Sequence, residues 1–530
     1  KDFLIKKDKA YIRSYMRGYQ ILKKQNNLGF LNEVKCFLTE KTIQKNRIKF
    51  SFEEKENICL TQFMLTRILD YDFNKALLSA ISSPNKEIKF HLPKNWRLLL
   101  ESKGFKANTK SNYLRWIFFT YKWYIIGILS GLVEFSRFFF SKFKAKKNFA
   151  YFHNLTLNNL PYEDSKTNDR TIIGWYIKKF KSNEKEIYHT VKGVSNYKYK
   201  ERRIIFTDSP IPSLHEFKSL CKFSFWFFLN TIYSIFFIRR RLLFRERVMQ
   251  NVYTYYNSNF KPKYFFHNTG PILRPLWTYD AEIKGAKIIF YFYSLNYQEI
   301  QEKGKSEVKN YFWESVSWPE YWIWNNYQLG YLKSKIQYPS KFINVGPIPF
   351  STGRKPKFFQ ITKKSIIVFD IQPKRDYFYQ FLGVNFEFYD TNFSIKFLES
   401  INSVAKKFNL NVIIKRKRES LKNLDSKKYF NFYKKLIKSE NWIELDPNLD
   451  VYSVSKSKNI VASIATPFTS AVHFTKKNKI PTVYFDPTNK MIENQTAAQQ
   501  FELIGSEKKL FHWMEKELNK LKGLKVFFGI

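Results

Sequence analysis

Acidic residues and cysteine are both scarce in this chain. Its 530 residues carry 45 Asp and Glu against 91 Lys and Arg, a net charge of +46. That excess must face something anionic: a lipid surface, nucleic acid or a phosphorylated substrate. Cysteine occurs only at Cys36, Cys59 and Cys221. The wide spacing contains no CxxC pair and no zinc pattern. It excludes a disulfide scaffold and points to reduced thiols in a cytoplasmic setting. The sequence also lacks GxGxxG, the Walker GxxxxGK[ST], HExxH and GxSxG. Nicotinamide, ATPase, zinc-peptidase and serine-hydrolase chemistry therefore have no support. There is no internal repeat and no low-complexity linker. No uncharged apolar run reaches the roughly 20 residues that a bilayer span needs.

What the chain has in excess is aromatic residues, 19% of the total, led by 55 Phe and 34 Tyr. Two stretches are too apolar for an ordinary surface. One is 116–143, whose longest uncharged run is Trp123 to Val133. The other is 223–238, which ends in Arg239-Arg240-Arg241. Aromatics with a basic flank are expected to lie in a membrane interface, attracted to anionic headgroups.

The length allows two or three domains. Residues 1–110 are basic and read as mostly helical, with one helix over 60–82. Asp70-Tyr71-Asp72 falls inside that helical pattern, so it is expected to be solvated helix and not a metal site. Apolar strand patterns then recur at 148–153, 203–207, 263–267, 286–293 and 342–345. After a Lys-rich linker at 351–364 they recur at 365–369, 411–414, 442–445, 460–464 and 482–485. Helical patterns lie between them. Strands alternating with helices imply parallel sheets covered on both faces. The expected division is 111–350 and 365–490 as two α/β domains, with 491–530 as a helical tail.

The most informative stretch is 459–487, NIVASIATPFTSAVHFTKKNKIPTVYFDP. It reads as strand, turn, helix, strand. Pro467 suits a first helical turn and Thr466 its N-cap. A helix start bearing the hydroxyls of Thr466, Thr469 and Ser470 at a strand's carboxyl end can hold a phosphate. Two neighbouring strand ends supply cations: Lys374 and Arg375 after 365–369, and Lys415 and Arg416 after 411–414. Asp486 closes the last strand, placed either to cap a turn or to bind donor hydroxyls.

Pro467-Phe468-Thr469-Ser470, in this strand context, resembles the motif of the bacterial polysaccharide-biosynthesis PFTS-motif proteins. The order of elements resembles GT-B glycosyltransferases. The resemblance implies an α/β, GT-B-like fold: two Rossmann-like domains facing a cleft, with a basic helical N-terminal region and membrane-associating helices. It implies a glycosyltransferase that takes a nucleotide sugar and extends a lipid-linked or growing surface glycan, peripherally attached to the inner face of the cell membrane. The basic and Ser/Thr motifs are also similar to those of transferases using CMP-activated acidic sugars. Lys-Arg-Lys stands where those often have His-Pro, and a UDP- or GDP-sugar fits nearly as well. No cofactor and no metal are expected, because cations and helix dipoles can take the leaving-group charge.

An inverting transferase needs a base for the acceptor hydroxyl. Asp208, after the strand at 203–207, is the first candidate and Asp164 the second. His153 and His267 follow, each closing a strand. Arg274 is a candidate for an acceptor phosphate. Two alternatives remain open: a basic nucleic-acid-binding protein, although no recognisable module is present, and a GT-B-shaped epimerase or glycerophosphate transferase.

Overall fold

The computed structural model describes residues 2–25, 27, 29–46, 54–141, 148–161, 168–256, 261–267, 273–295, 300–304, 313–349, 361–374, 390–416, 426–446, 451–454, 457 and 459–528. It opens with helices α1 (Asp2–Lys24), α2 (Phe30–Asn46), α3 (Lys55–Arg67), α4 (Tyr71–Ile81) and α5 (Lys94–Glu101). They share a core that includes Leu38, Phe63, Ile68, Leu77 and Trp96. The single helix expected over 60–82 is two. Asp70 breaks it by accepting hydrogen bonds from the backbone N–H groups of Asp72 (2.9 Å) and Phe73 (3.1 Å), which makes it the N-cap of α4. A short carboxylate side chain competes for its own backbone in this way.

The long helix α6 (Lys110–Phe140) leads into the first α/β domain. That domain contains β1 (Phe149–Phe152), α7 (Ile172–Phe180), β2 (Glu186–His189), β3 (Tyr197–Tyr199), β4 (Arg202–Phe206), α8 (Phe217–Ser234), α9 (Ile238–Leu242), α10 (Phe244–Tyr255), β5 (Lys263–His267), α11 (Trp277–Ile283), β6 (Lys287–Tyr291), β7 (Glu320–Ile323), α12 (Asn326–Lys335) and β8 (Lys341–Asn344). The second domain contains β9 (Ser365–Phe369), α13 (Thr391–Lys407), β10 (Asn411–Lys415), α14 (Lys427–Leu436), β11 (Trp442–Leu445), α15 (Val451–Val454), β12 (Ile460–Ala465), α16 (Val472–Lys477), β13 (Thr482–Phe485), β14 (Glu502–Ile504) and α17 (Glu507–Phe528).

Among the described residues the first sheet has strand order β3-β4-β2-β1-β5-β6-β7-β8 and the second β11-β10-β9-β12-β13-β14. Every pairing is parallel except β3 with β4. The central strands β1, β9 and β12 are buried at every residue, as parallel strands packed between helices must be. In each sheet the chain winds outward from a central strand and then returns to that strand's other side. This places switch points between β1 and β5 and between β9 and β12. Ligand crevices of open α/β sheets form at such points, outside the carboxyl ends of the strands.

The segment after residue 490 is not only a helical tail. Its Glu-Leu-Ile run forms β14 on the edge of the second sheet, and Leu510, Trp513 and Met514 of α17 pack on that sheet's core. Three residues are too few to show a strand period in sequence.

The carboxyl edges of the two sheets meet. Leu295, beyond β6, donates its N–H to Ser470 Oγ, beyond β12 (3.2 Å). Trp324, directly after β7, packs edge-on against His473 of α16 (5.6 Å). Gln301 and Lys303 donate their backbone N–H groups to Gln495 Oε1 (2.9 Å) and the Lys490 carbonyl (2.7 Å). This is the two-domain arrangement that the GT-B resemblance implies.

Candidate active site

At the second sheet's rim three strand ends are level. Lys415 of β10 lies opposite Phe369 of β9, which lies opposite Ala465 of β12. Two strand spacings, roughly 10 Å, therefore separate Lys415 from the start of the hydroxyl turn. Lys415, Asp370 and Thr466 are all buried there. Asp370 receives a hydrogen bond from the Tyr429 hydroxyl on Oδ2, while Oδ1 has no partner among the described residues. Burial pushes its carboxyl up to about 6, against the pull of the Tyr429 bond and the Arg416 charge. Gln372, two residues on, is also buried, and its Nε2 has no partner among the described residues.

The hydroxyl turn differs from its expected form. Thr466 does not cap a helix and Pro467 does not begin one, because α16 starts only at Val472. Residues 466–470 make a turn in which Phe468 adopts a left-handed backbone, φ 64°. The buried Phe468 ring, 5.7 Å from Tyr484, holds that conformation. Thr466 donates its N–H to the Phe369 carbonyl (3.0 Å), and its hydroxyl lies 3.0 Å from that of Thr469. The turn thus presents Thr466 and Thr469 at the β9–β12 switch point, whereas Ser470 is bound into the seam between the domains.

Other candidates are placed differently. Arg416 lies against Glu444 (2.5 Å), along β11. Asp486 caps a turn: Oδ1 accepts from Thr488 N (2.8 Å) and Oγ1 (2.6 Å), and Oδ2 from Met491 N (2.9 Å). Lys374 is half-buried beyond β9, and Arg375 lies outside the described residues.

At the first sheet's rim, His153 and His267 end the two strands that flank its switch point, β1 and β5. His153 Nδ1 is 3.1 Å from the Tyr151 hydroxyl, and Asn154 beside it is left-handed (φ 53°). Burial lowers His153 to about 4, with the neighbouring His267 and Arg245 adding to the effect. Burial likewise lowers His267 to about 4, although its Nε2 contacts the Asn154 carbonyl at 3.1 Å. A third imidazole stands at the end of the next strand. His189 of β2 is fully buried, accepts from Val191 N on Nδ1 (3.1 Å), and has no partner for Nε2 among the described residues. Three neighbouring strands therefore end in neutral histidines. His189 escaped the sequence reading because β2 was not recognised; the apolar pair Ile187-Tyr188 before it was the available signal.

Asp208, the first candidate base, sits two strands away from β1, at the end of β4. It is 65% exposed and faces Arg137 at 3.5 Å. Asp164 lies outside the described residues. Arg274 cannot reach an acceptor. It is fully buried, stacked on Tyr279 and bonded to the Ser317 carbonyl (2.6 Å), Thr278 and Glu282. Among the described residues no three His, Cys, Asp or Glu side chains gather as a metal site.

Two parallel α/β sheets joined through their carboxyl edges make the chain glycosyltransferase-like in fold. Three similar solved structures are distant in sequence. UGT73P12 of Glycyrrhiza uralensis, complexed with glycyrrhetinic acid 3-O-monoglucuronide, is 11% identical over 72% of this chain and 91% of its own, with a TM-score of 0.38. UDP-GlcNAc 2-epimerase of Methanocaldococcus jannaschii is 10% identical over 70% and 93%, TM-score 0.35. An alpha,alpha-trehalose-phosphate synthase (UDP-forming) of Burkholderia xenovorans is 8% identical over 70% and 91%, TM-score 0.35. No curated protein matches the chain in sequence. Residues 227–514 match the family described as polysaccharide biosynthesis PFTS motif protein, and the chain belongs to that family.

Proposed function

We propose that this protein moves a sugar from a nucleotide-sugar donor to a hydroxyl of a lipid-linked or growing surface glycan. What supports this is the pair of switch points on one seam. One carries neutral imidazoles; the other carries a buried lysine, two hydroxyls and two polar atoms without a partner among the described residues. In this proposal the second domain binds the donor. Lys415 and the Thr466 and Thr469 hydroxyls take the phosphate charge, with no metal required. Asp370 Oδ1 and Gln372 Nε2, an acceptor and a donor, suit ribose hydroxyls or the edge of a base. CMP-activated acidic sugars, UDP-sugars and GDP-sugars all meet these requirements.

The first domain binds the acceptor, and His153 is the general base. Burial keeps its imidazole neutral at pH 7, the protonation state that a base requires. As the acceptor oxygen attacks the anomeric carbon, the C–O bond to phosphate breaks and the nucleotide departs. Thermal-shift measurements with CMP, UDP and GDP identify the donor class, because a ligand stabilises only the form it binds. His153→Ala is expected to abolish turnover and preserve the nucleotide shift. A free rearranged nucleotide sugar, or a phosphodiester product, would replace this reading with an epimerase or a glycerophosphate transferase.

A further inference from the structure

We propose that α6 and α8 dock the chain in the plane of an anionic lipid bilayer. The two helices run side by side in opposite directions. The Tyr124 hydroxyl donates to the Thr231 carbonyl (2.7 Å), and Gly131 lies directly against the Phe227 ring. Their outer faces are apolar and exposed. On α6 the stripe is Phe118 (72% exposed), Ile125, Leu129, Leu132 and Phe140 (83%), spaced as one helix face. On and just after α8 it is Phe225 (68%), Phe228, Ile232 and Phe236 (71%). Single exposed apolar residues are ordinary, but a continuous patch on two adjoining helices marks an interaction surface.

The charge around the patch selects the occupant. Lys218 and Lys222 at the start of α8 and Lys122 on α6 are all exposed, whereas Arg239 beyond α8 is paired with Glu56 (3.3 Å). Cations around an apolar face complement anionic headgroups over acyl chains. A second copy of this chain would bring the same cations together, which disfavours self-association through this face.

The geometry also separates docking from spanning. Among the described residues, α6 alone is long and apolar enough to cross a membrane. However, Trp116, Tyr124, Gly127 and Gly131 on its inner face are buried in the protein, and a buried Glu134–Arg137 pair closes its last turns (2.5 Å). Gly127 has no room for even a methyl group, since a Cβ there would lie 2.6 Å from Phe244. A helix fixed along one side to the body of the protein can give only its other side to lipid. The first domain would then ride on the membrane. A lipid-linked acceptor follows from combining this with the glycosyl-transfer reading; the docking itself does not depend on that reading.

The test is flotation of the full chain with phosphatidylcholine vesicles, with and without phosphatidylglycerol, alongside the Phe118→Ser, Phe225→Ser, Phe228→Ser, Phe236→Ser variant. The wild type should float with anionic vesicles, bind neutral ones more weakly by roughly fivefold per engaged cation, and be released by alkaline carbonate. The variant should bind at least roughly tenfold more weakly while keeping its thermal unfolding midpoint and its nucleotide shift. Failure of the wild type to bind either vesicle overturns the proposal. So does resistance to carbonate, which would indicate spanning, or vesicle-independent self-association that the variant abolishes. Loss of glycosyl transfer with flotation intact would instead count against the catalytic reading alone.

Discussion

Asp370 offers a direct test of the switch-point chemistry. Its carboxyl is fully buried and raised from the usual 3.8 to about 6. A group raised in the folded state favours folding while protonated, so its contribution is lost as pH climbs through 3.8 towards 6. At pH 8 the folded protein holds an anion that burial disfavours, at a cost of about 3 kcal/mol; at pH 5 the cost is about 2 kcal/mol. Asp370→Asn keeps an oxygen to accept from Tyr429 and removes the charge. Urea unfolding should therefore find the variant more stable than wild type, with the gap widening from pH 5 to pH 8. The same change replaces an acceptor that has no partner among the described residues by a donor, so the thermal shift from the cognate nucleotide should shrink sharply. A stability gap that stays flat with pH, or a variant weaker at pH 8, would refute the idea of a buried carboxylate kept for a ligand. A larger stability with an unchanged nucleotide shift would remove Asp370 from the donor site.

Three further outcomes are expected. With burial holding His153 near 4, the acid limb of the pH–rate profile should fall well below pH 6, and a limb at the ordinary histidine value would point to another base. Phe468→Ala should cost about 3–5 kcal/mol by removing a buried ring, whereas Phe468→Gly should cost about 1 kcal/mol less because glycine relieves the left-handed strain; denaturant melts of the pair would show the unusual order. Arg137→Ala strands a buried Glu134 that burial already pushes up, and should cost about 3–5 kcal/mol, while Arg137→Met with Glu134→Leu should recover most of it in the same assay.

The sequence disclosed strands best where apolar runs were long. β5, β9, β11 and β13 lie where those runs predicted, and β12 extends its run by one residue. It hid β2 and β7, whose aromatic and mixed residues lack a clean period, and β14, which is too short to have one. Site residues divided along the same physical line. The rim positions of Lys415 and Thr466 could be read because Lys415 ends a buried strand, Thr466 directly follows one, and parallel strands end at a common rim. Asp370 follows β9 in the same way but was not singled out, because its burial and its bond to Tyr429 depend on how α14 packs, which no local pattern states. Asp208 ranked ahead of His153 in sequence. Only the strand order, with β5 crossing to the far side of β1, shows that one stands at the switch point and the other two strands outside it. The turn at 466–470 was misread because Thr-Pro before a helical pattern is the ordinary start of a helix, whereas here burial of Phe468 overrides local preference.

The span shared with the family begins inside α8, at residue 227. The central strand of the first sheet, β1, precedes it, and so do β2 and the helices around Gln62, whose side chain joins Ser315 to the Arg274 backbone. A shortened gene product cut to 227–514 would therefore be missing the middle of a sheet and the buried glutamine that ties Ser315 to the Arg274 backbone. The unit of kinship and the unit of folding do not coincide here, and anyone preparing material for crystals or assays needs the whole polypeptide.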